Sequence, residues 1–195
     1  ANFALTKCRF PTHETSAYRF FFFFGINKLF ERILPEDEKN QENILELRKY
    51  FLEHYEIHNS ELTVPYAGIT ELLLKLQSAG IMLAVASNKY HKATEKLVKH
   101  FFPGILFVAV FGQREGIAVK PDPTIIHDIL AKAQVNRTEE VLYIGDSGVD
   151  MQTAQNAGVE ACGVTWGFRP RTELLEFSPR YIVDKAEEIS SIIHL

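Results

Sequence analysis

Cysteine is scarce in this chain of 195 residues, which contains only Cys8 and Cys162. Two distant cysteines without a Cys-x-x-Cys pair argue against a disulfide scaffold or a cysteine zinc site, and they favour a reducing, cytoplasmic setting. No apolar run approaches the roughly 20 residues that cross a bilayer. No basic stretch followed by an apolar one suggests a signal peptide. We therefore expect neither secretion nor membrane insertion.

A surplus of positive charge is also absent, because 21 basic side chains stand against 25 acidic ones, for a net charge of −4. Binding a nucleic-acid backbone requires a positive field that neutralises phosphates, so we expect no nucleic-acid partner. The basic helical face of Lys92, Lys96 and Lys99 is more typical of a solvated helix. The 46% apolar and 24% charged composition is typical of a soluble globular protein.

The first sixty or so residues carry helix signals and no strand-like segment. We predict a helix over Glu14–Leu34, ended by Pro35, and a second over Gln41–His58 with one apolar face. The run Phe20–Phe24 favours a buried flank over a substrate role, although five consecutive phenylalanines cannot all face one core. We interpret residues 1–62 as a small helical domain.

From residue 63 onward, predicted helices and strands alternate. Short apolar runs indicate buried strands at Ile81–Ala86, Leu106–Phe111, Val141–Ile144, Val159–Val164 and Tyr181–Val183. Helices are predicted at Ile69–Ser78, Lys92–His100, Thr124–Ala133, Val149–Ala157 and Glu187–Ile193. This alternation implies parallel pairing through right-handed crossovers. Residues 63–195 are therefore predicted to form a doubly wound α/β core.

Polar side chains cluster in three segments that follow predicted strands. Ser87-Asn88-Lys89 follows the first strand, Lys120-Pro121-Asp122-Pro123 follows a turn after the second, and Gly145-Asp146-Ser147-Gly148-Val149-Asp150 follows the third. Ligands of open parallel sheets bind beyond the carboxyl ends of the strands. The three segments bring a hydroxyl, an ammonium and two carboxylates to that edge, and phosphoryl chemistry uses this set of groups.

Each group has a physical reason to be there. Ser87 and Asn88 can donate hydrogen bonds to a phosphate, and Lys120 supplies a cation beside a proline that restricts its backbone. Asp146 can reach Mg²⁺, which few carboxylates hold together with water and substrate. Asp150 can hold a water near the metal or orient Lys120. Taken alone, each segment also fits a helix cap or a turn, but their joint placement favours function.

Together these segments resemble motifs II, III and IV of the haloacid dehalogenase superfamily. Gly163–Arg169 and Phe10-Pro11-Thr12-His13 are similar to its phosphoglycolate phosphatase branch. The resemblance implies a Rossmann-like α/β core with a parallel sheet, over residues 63–195, and a small α-helical cap domain, over residues 1–62. It also implies a Mg²⁺-dependent phosphatase of a small phosphorylated metabolite, close to phosphoglycolate, that works as a monomer or homodimer.

The same resemblance implies a role for each matching residue. Ser87 would bind the transferring phosphoryl group with help from Asn88, and Lys120 would stabilise the nucleophile and the phosphoryl charge. Asp146 would ligate Mg²⁺, while Asp150 would support the metal site from the second coordination shell. The cap would close over the substrate and select it.

One family motif has no counterpart, namely an Asp-x-Asp pair at the end of the leading strand. In the family its first aspartate attacks phosphorus to form an aspartyl-phosphate. The first aspartate of this chain is Asp37, in the helical part, and no Asp-x-Asp occurs. In the family the leading strand lies between those ending at Ser87 and Asp146, so its loss would leave buried backbone groups unpaired at roughly 1–3 kcal/mol each.

We therefore expect the working protein to carry a further N-terminal strand, and residues 1–195 alone to show no turnover. An intact mass of 22.3 kDa in a folded sample would contradict this expectation. Two alternatives stay open: a sugar-phosphate mutase resembling β-phosphoglucomutase, and a non-catalytic phospho-ligand binding module. His54 and His58, four residues apart on a helix, favour a solvated face over a metal site.

Overall fold

The computed structural model describes residues 1–21 and 25–193, and the first part of this chain is helical. Its elements are α1 (Asn2–Lys7), a 3₁₀ helix (Thr15–Phe20), α2 (Ile26–Ile33), a 3₁₀ helix (Glu36–Glu38) and α3 (Gln41–His58). The predicted bounds of α3 are confirmed. Its start is capped by Asn40, whose Oδ1 accepts a hydrogen bond from the Asn43 amide at 2.9 Å.

The predicted continuous helix over Glu14–Leu34 is wrong. The segment instead contains the 3₁₀ helix Thr15–Phe20 and, separately, α2, which begins after Gly25. Gly25 has φ of +84°, a left-handed conformation that ends helical continuity and that glycine adopts without strain. Of the run Phe20–Phe24, Phe20 is exposed and Phe21 packs against buried residues, while residues 22–24 lie outside the described chain.

The helices of this first part share one cluster of buried side chains. Phe30 of α2 and Leu47 of α3 are fully buried in it, and Phe30 meets the ring of Phe51 edge-on at 5.6 Å. The cluster consists of Ala4, Leu5, Tyr18, Leu29, Phe30, Ile33, Leu34 and Leu47.

His54 and His58 lie on α3 with ring centroids 4.3 Å apart, and His58 Nδ1 lies 2.7 Å from Glu61 Oε1.

The second part alternates helices with parallel strands. Its elements are α4 (Ile69–Ser78), β1 (Leu83–Tyr90), α5 (His91–Phe101), β2 (Phe107–Gln113), α6 (Thr124–Ala133), a 3₁₀ helix (Thr138–Glu140), β3 (Leu142–Gly145), α7 (Gly148–Ala157), β4 (Glu160–Val164), α8 (Arg171–Glu176), β5 (Tyr181–Val183) and α9 (Ala186–Ile192). The fold is therefore α/β with parallel strands, as predicted. Helix α8, which follows Pro170, was not predicted.

Strand β1 begins later and runs further than predicted. The sequence placed it at Ile81–Ala86, whereas it spans Leu83–Tyr90, so Ser87, Asn88 and Lys89 lie within the strand. Its pairing with β2 is irregular between Ala86 and Tyr90. These three polar residues thus occupy a distorted stretch at the carboxyl end of the strand, where ladder pairing is interrupted.

The described strands form two separate sheets. Strand β1 pairs with β2, while β3, β4 and β5 pair in that order, and no ladder joins β1 to β3 among the described residues. A cavity of about 1320 Å³ is lined by residues of both β1 and β3. We call this cavity, bounded by Leu83–Tyr90 and Leu142–Gly145, the slot. The strand edges that face it have no ladder partner in the described chain.

Apolar helices cover the sheets beside the slot. Leu72 and Leu76 of α4 pack with Leu83, Val164, Val183 and Ile189 in one cluster, while Ile125, Ile126, Met151, Ala154 and Leu174 belong to another. No helix in the described ranges is long and apolar enough to span a membrane.

Candidate active site

All five predicted site residues line the slot. Ser87 and Asn88 come from β1, Lys120 from the connection between β2 and α6, and Asp146 and Asp150 from the end of β3 and the first turn of α7. Residues of the helical part, including Leu29, Phe51 and Tyr55, line the same cavity. The structure therefore brings residues that are remote in sequence into one crevice between the α/β core and the helical part.

Lys120 bridges the two sheets at the end of the slot. Its Nζ donates hydrogen bonds to Asp150 Oδ1 at 2.7 Å, to the Tyr143 hydroxyl at 3.1 Å and to the Ala86 carbonyl at 3.2 Å. Burial alone would lower the pKa of Lys120, but Tyr143 and the Asp150 carboxylate outweigh it and raise the pKa. Lys120 is therefore a fixed cation between β1 and β3.

Asn88 holds the backbone of Lys120. Its Oδ1 accepts from the Lys120 amide at 2.9 Å, and its Nδ2 donates to the Lys120 carbonyl at 3.0 Å. Ser87, one residue earlier, accepts at Oγ from the Lys89 amide at 3.1 Å. The side-chain amide of Asn88 thus holds the backbone of Lys120. The position of Asn88 after a predicted strand did not indicate this contact.

Asp146 and Asp150 have opposite environments although they are one helical turn apart. Burial raises the pKa of Asp146, and the nearby Asp150 charge adds to this. Burial also acts to raise the pKa of Asp150, but Lys120 and the Ser147 hydroxyl, which donates to Asp150 Oδ2 at 2.7 Å, lower it. Asp150 is therefore compensated by neighbours, whereas Asp146 is a half-buried carboxylate without an ion-pair partner among the described side chains.

The donor set at Asp146 fits Mg²⁺. Asp146 Oδ2 accepts from the Phe168 amide at 2.8 Å, and no other described residue donates a hydrogen bond to Oδ1. Mg²⁺ is held in proteins by one or two carboxylates, with water and substrate oxygens completing the octahedron. A half-buried carboxylate whose pKa burial raises is stabilised in its charged form by such a cation. The oxygens of Asp150, in contrast, already accept hydrogen bonds from Lys120 Nζ and the Ser147 hydroxyl.

Sequence reasoning missed several residues that shape the site. Tyr143 contacts both Lys120 and Asp150, at 3.1 and 3.3 Å, and its only signal was a polar hydroxyl within an apolar strand. Phe168 contributes its backbone amide, which no side-chain pattern can indicate. Tyr55 of α3 accepts a hydrogen bond from Lys89 Nζ at 2.5 Å and so links the helical part to the segment after Ser87.

Comparisons with known proteins agree on one family. The profile of haloacid dehalogenase-like hydrolases matches residues 1–164. A phosphoglycolate phosphatase from Mesorhizobium japonicum is 29% identical over 144 residues, which are 74% of this chain and 63% of that protein. The pyrophosphatase PpaX of Listeria welshimeri is 27% identical over 157 residues, or 80% of this chain and 71% of that protein.

A solved structure has the same fold along almost the whole chain. It is a proposed phosphoglycolate phosphatase from Lactobacillus delbrueckii subsp. bulgaricus, with a TM-score of 0.89 and 28% sequence identity. The match covers 98% of this chain and 88% of that one. This chain thus spans less than two thirds of the Mesorhizobium japonicum relative and most of the solved structure.

Proposed function

Since the chain belongs to the haloacid dehalogenase-like hydrolase family, we propose that it forms the main part of a Mg²⁺-dependent phosphatase for a small phosphorylated metabolite. The observation that carries this proposal is the convergence of Ser87, Lys120 and Asp146 on one crevice. A hydroxyl donor, a fixed cation and a carboxylate that can hold a metal ion are groups that serve phosphoryl transfer.

The residues of the slot would divide the work on the phosphate. Ser87 Oγ accepts one hydrogen bond, so its O–H can donate to a phosphoryl oxygen, and Lys120 Nζ neutralises charge that develops during transfer. Asp146 would hold Mg²⁺, with Asp150 in support. When bound, Mg²⁺ would neutralise negative charge on the phosphoryl oxygens. Asn88 keeps Lys120 in place through its backbone.

The nucleophile in this proposal is a carboxylate on an extended segment that fills the slot. The unpaired edges of β1 and β3, the apolar lining and the position of Lys120 at the carboxyl end support it. The cavity of about 1320 Å³ also exceeds the roughly 300–1,000 Å³ of ordinary small-molecule pockets. The carboxylate would attack phosphorus and break its bond to the metabolite oxygen, which leaves as an alcohol, and water would then hydrolyse the aspartyl-phosphate to inorganic phosphate and the free carboxylate.

Residues 1–62 would act as the cap that selects the substrate. Leu29, Phe51 and Tyr55 of this part line the same slot as Ser87 and Lys120, which supports this role. The names of the relatives support a substrate close to phosphoglycolate, with pyrophosphate as a second candidate that the Listeria welshimeri relative favours.

A phosphate-release assay tests the function. Protein expressed from the complete reading frame would be incubated with phosphoglycolate, pyrophosphate and a panel of sugar phosphates, with Mg²⁺ or with EDTA. We expect Mg²⁺-dependent release, reduced at least about 100-fold in D146N. D37N serves as the matched control, because Asp37 is exposed in the 3₁₀ helix Glu36–Glu38 and does not line the slot.

Three results would contradict the proposal in different ways. Full activity in D146N would remove Asp146 from the metal site. An isomerised sugar phosphate without free phosphate would identify a mutase. Binding of phosphorylated ligands without any turnover would identify a non-catalytic module.

A further inference from the structure

The loop that follows β4 crosses the end of the slot beside Asp146. It comprises Thr165–Arg169, and both Trp166 and Phe168 line the slot. We propose that Gly167 and Phe168 are positioning residues, which fix the orientation of the Asp146 carboxylate for its cation. This inference rests on the proposed function, because it assumes that Asp146 binds Mg²⁺.

A hydrogen bond from the loop backbone holds one oxygen of Asp146. The Phe168 amide donates to Oδ2 at 2.8 Å, and the backbone amide of Asp146 itself donates to Asp150 Oδ2 at 3.2 Å. The side chain is therefore held through Oδ2 and its backbone through Asp150. No other described residue donates a hydrogen bond to Oδ1. One oxygen is thus occupied by the protein, and the other is available to a cation.

Position 167 has no room for a Cβ atom, so it requires glycine. A Cβ built on Gly167 would lie 2.2 Å from both the Cβ and the Oδ2 of Asp146, and 2.5 Å from its Cγ. These contacts are far shorter than real Cβ contacts, so any other residue must displace either the loop or the carboxylate. Gly158 differs, because its φ is +67° and a Cβ there would meet nothing within 4 Å. Glycine therefore serves close approach at Gly167 and backbone conformation at Gly158.

Contacts at both ends keep the loop from moving away. Thr165 donates from its amide to the Val183 carbonyl at 3.1 Å and from Oγ1 to Asp184 Oδ1 at 2.6 Å. At the other end, Arg169 Nε lies 3.6 Å from Glu173 Oε2, and Glu173 Oε1 accepts from the Gly148 amide at 2.9 Å. The loop is thus tied to β5 and to the start of α7, the helix that carries Asp150.

The consequence is a carboxylate oriented before any cation arrives. Residues that hydrogen-bond a ligating side chain without touching the metal orient that side chain, and their loss typically lowers metal affinity about 10- to 100-fold. A side chain at position 167 would disturb the Phe168 amide and the Asp146 carboxylate together. We therefore expect G167A to weaken Mg²⁺ binding by about 10- to 100-fold.

Mg²⁺ titration followed by intrinsic fluorescence tests this inference without an activity assay. Trp166 is the only tryptophan in the chain and precedes Gly167 directly, so its emission reports on the loop. Wild type, G167A and G104A would be titrated with Mg²⁺, and calorimetry would check the affinities independently. G104A is the matched control, because a Cβ on Gly104 meets nothing within 4 Å. We expect wild-type affinity in G104A and weakened affinity in G167A.

A second measurement on the wild-type protein applies even if G167A does not fold. In ¹⁵N-labelled protein, the Phe168 amide resonance should shift as Mg²⁺ binds, while the Gly104 amide should stay unchanged. If folded G167A binds Mg²⁺ as tightly as wild type, this inference alone is overturned. The same holds if wild type binds Mg²⁺ tightly and its Phe168 amide resonance does not shift. Wild-type protein that binds no Mg²⁺ would overturn both the inference and the metal site of the proposed function.

Discussion

Lys120 and Asp150 form an ion pair inside the molecule, with side chains that are only 11% and 8% exposed. Arg137 and Glu140, by contrast, pair on the surface with exposures of 65% and 56%. Taking charges out of water is costly, so the buried pair is stable only while both partners and their hydrogen bonds are present. Tyr143 and Ser147 supply those further hydrogen bonds to Asp150.

Replacing Lys120 by methionine should therefore destabilise the fold by about 3–5 kcal/mol, because Asp150 would stay buried without its cation. Urea unfolding at neutral pH measures the change. The control R137A removes the exposed ion pairs of Arg137 with Glu139 and Glu140 and should cost about 1 kcal/mol or less. Equal stability of K120M and wild type would show that Asp150 escapes burial when Lys120 is lost.

The pH dependence of this effect follows from the direction of the Asp150 shift. Lys120 lowers the folded-state pKa of Asp150 below the ordinary 3.8, so the ionised form stabilises the fold above that pH. The stabilisation is lost as the pH falls through the lowered pKa. In K120M burial would raise the Asp150 pKa without Lys120 to offset it, so the stability gap between wild type and K120M should shrink steadily as the pH falls from neutral. A gap that is constant from pH 7 to pH 3 would contradict this assignment.

The two cysteines should differ in reactivity. Cys162 of β4 is fully buried, and burial together with the charge of Glu188 raises its pKa to about 11. It therefore carries almost no reactive thiolate near pH 8, whereas Cys8 is only partly buried. We expect an aromatic disulfide reagent to label Cys8 in a fast phase and Cys162 in a slow phase that requires unfolding. The slow phase should be absent in C162A. Equally fast labelling of both thiols would contradict the burial of β4.

Helix α3 illustrates how an element is held by one face. Leu47 is fully buried in the cluster of the helical part, whereas Leu45, two residues earlier, is 49% exposed. Residues two apart on a helix point in different directions, so a leucine at position 47 contributes more to the free energy of unfolding than one at position 45. The apolar periodicity of Gln41–His58 predicted this element and its bounds.

L47A should lower the free energy of unfolding by about 2–5 kcal/mol, because it leaves a cavity in the cluster that contains Leu5 and Phe30. L45A has the same chemical change and the same helix, and should cost about 0.5 kcal/mol or less. Chemical denaturation followed by circular dichroism measures both. Comparable losses in the two variants would mean that α3 does not pack through this face.

The division into two sheets is a property of the whole molecule. Strand β4 is paired on both sides, by β3 and β5, whereas β1 and β3 each have one edge on the slot. Open strand edges present unpaired N–H and C=O groups, which readily accept another strand. The slot is therefore the place where the proposed extended segment would complete one sheet.

Hydrogen exchange measured by mass spectrometry tests this proposal. A synthetic peptide with an apolar run of about five residues before Asp-Gly-Asp would be added to the protein, since strands are typically this long. We expect the amides of β1 and β3 to exchange more slowly with the peptide, while those of β4 change little. A peptide with the same composition in scrambled order is the control. Unchanged exchange in β1 and β3 would exclude the slot as a strand site.

The sequence alone determined the helical first part, the parallel α/β second part, the family and the residues that converge on the slot. Local periodicity and polar residues at strand ends carry that information, and the bounds of α3, α4, α6 and β5 were predicted without error. The predicted continuous helix over Glu14–Leu34 was wrong, because apolar composition does not show where Gly25 turns the backbone.

Only the tertiary structure decided how distant parts meet. The separation of β1 from β3, the contact of Tyr143 with Lys120 and the close approach of Gly167 to Asp146 depend on residues far apart in the chain. Sequence periodicity reports which face of an element is apolar, but not which strand lies beside it or how near two backbones come. Those features follow from packing of the whole chain, because the space available at one residue is set by others that no local pattern contains.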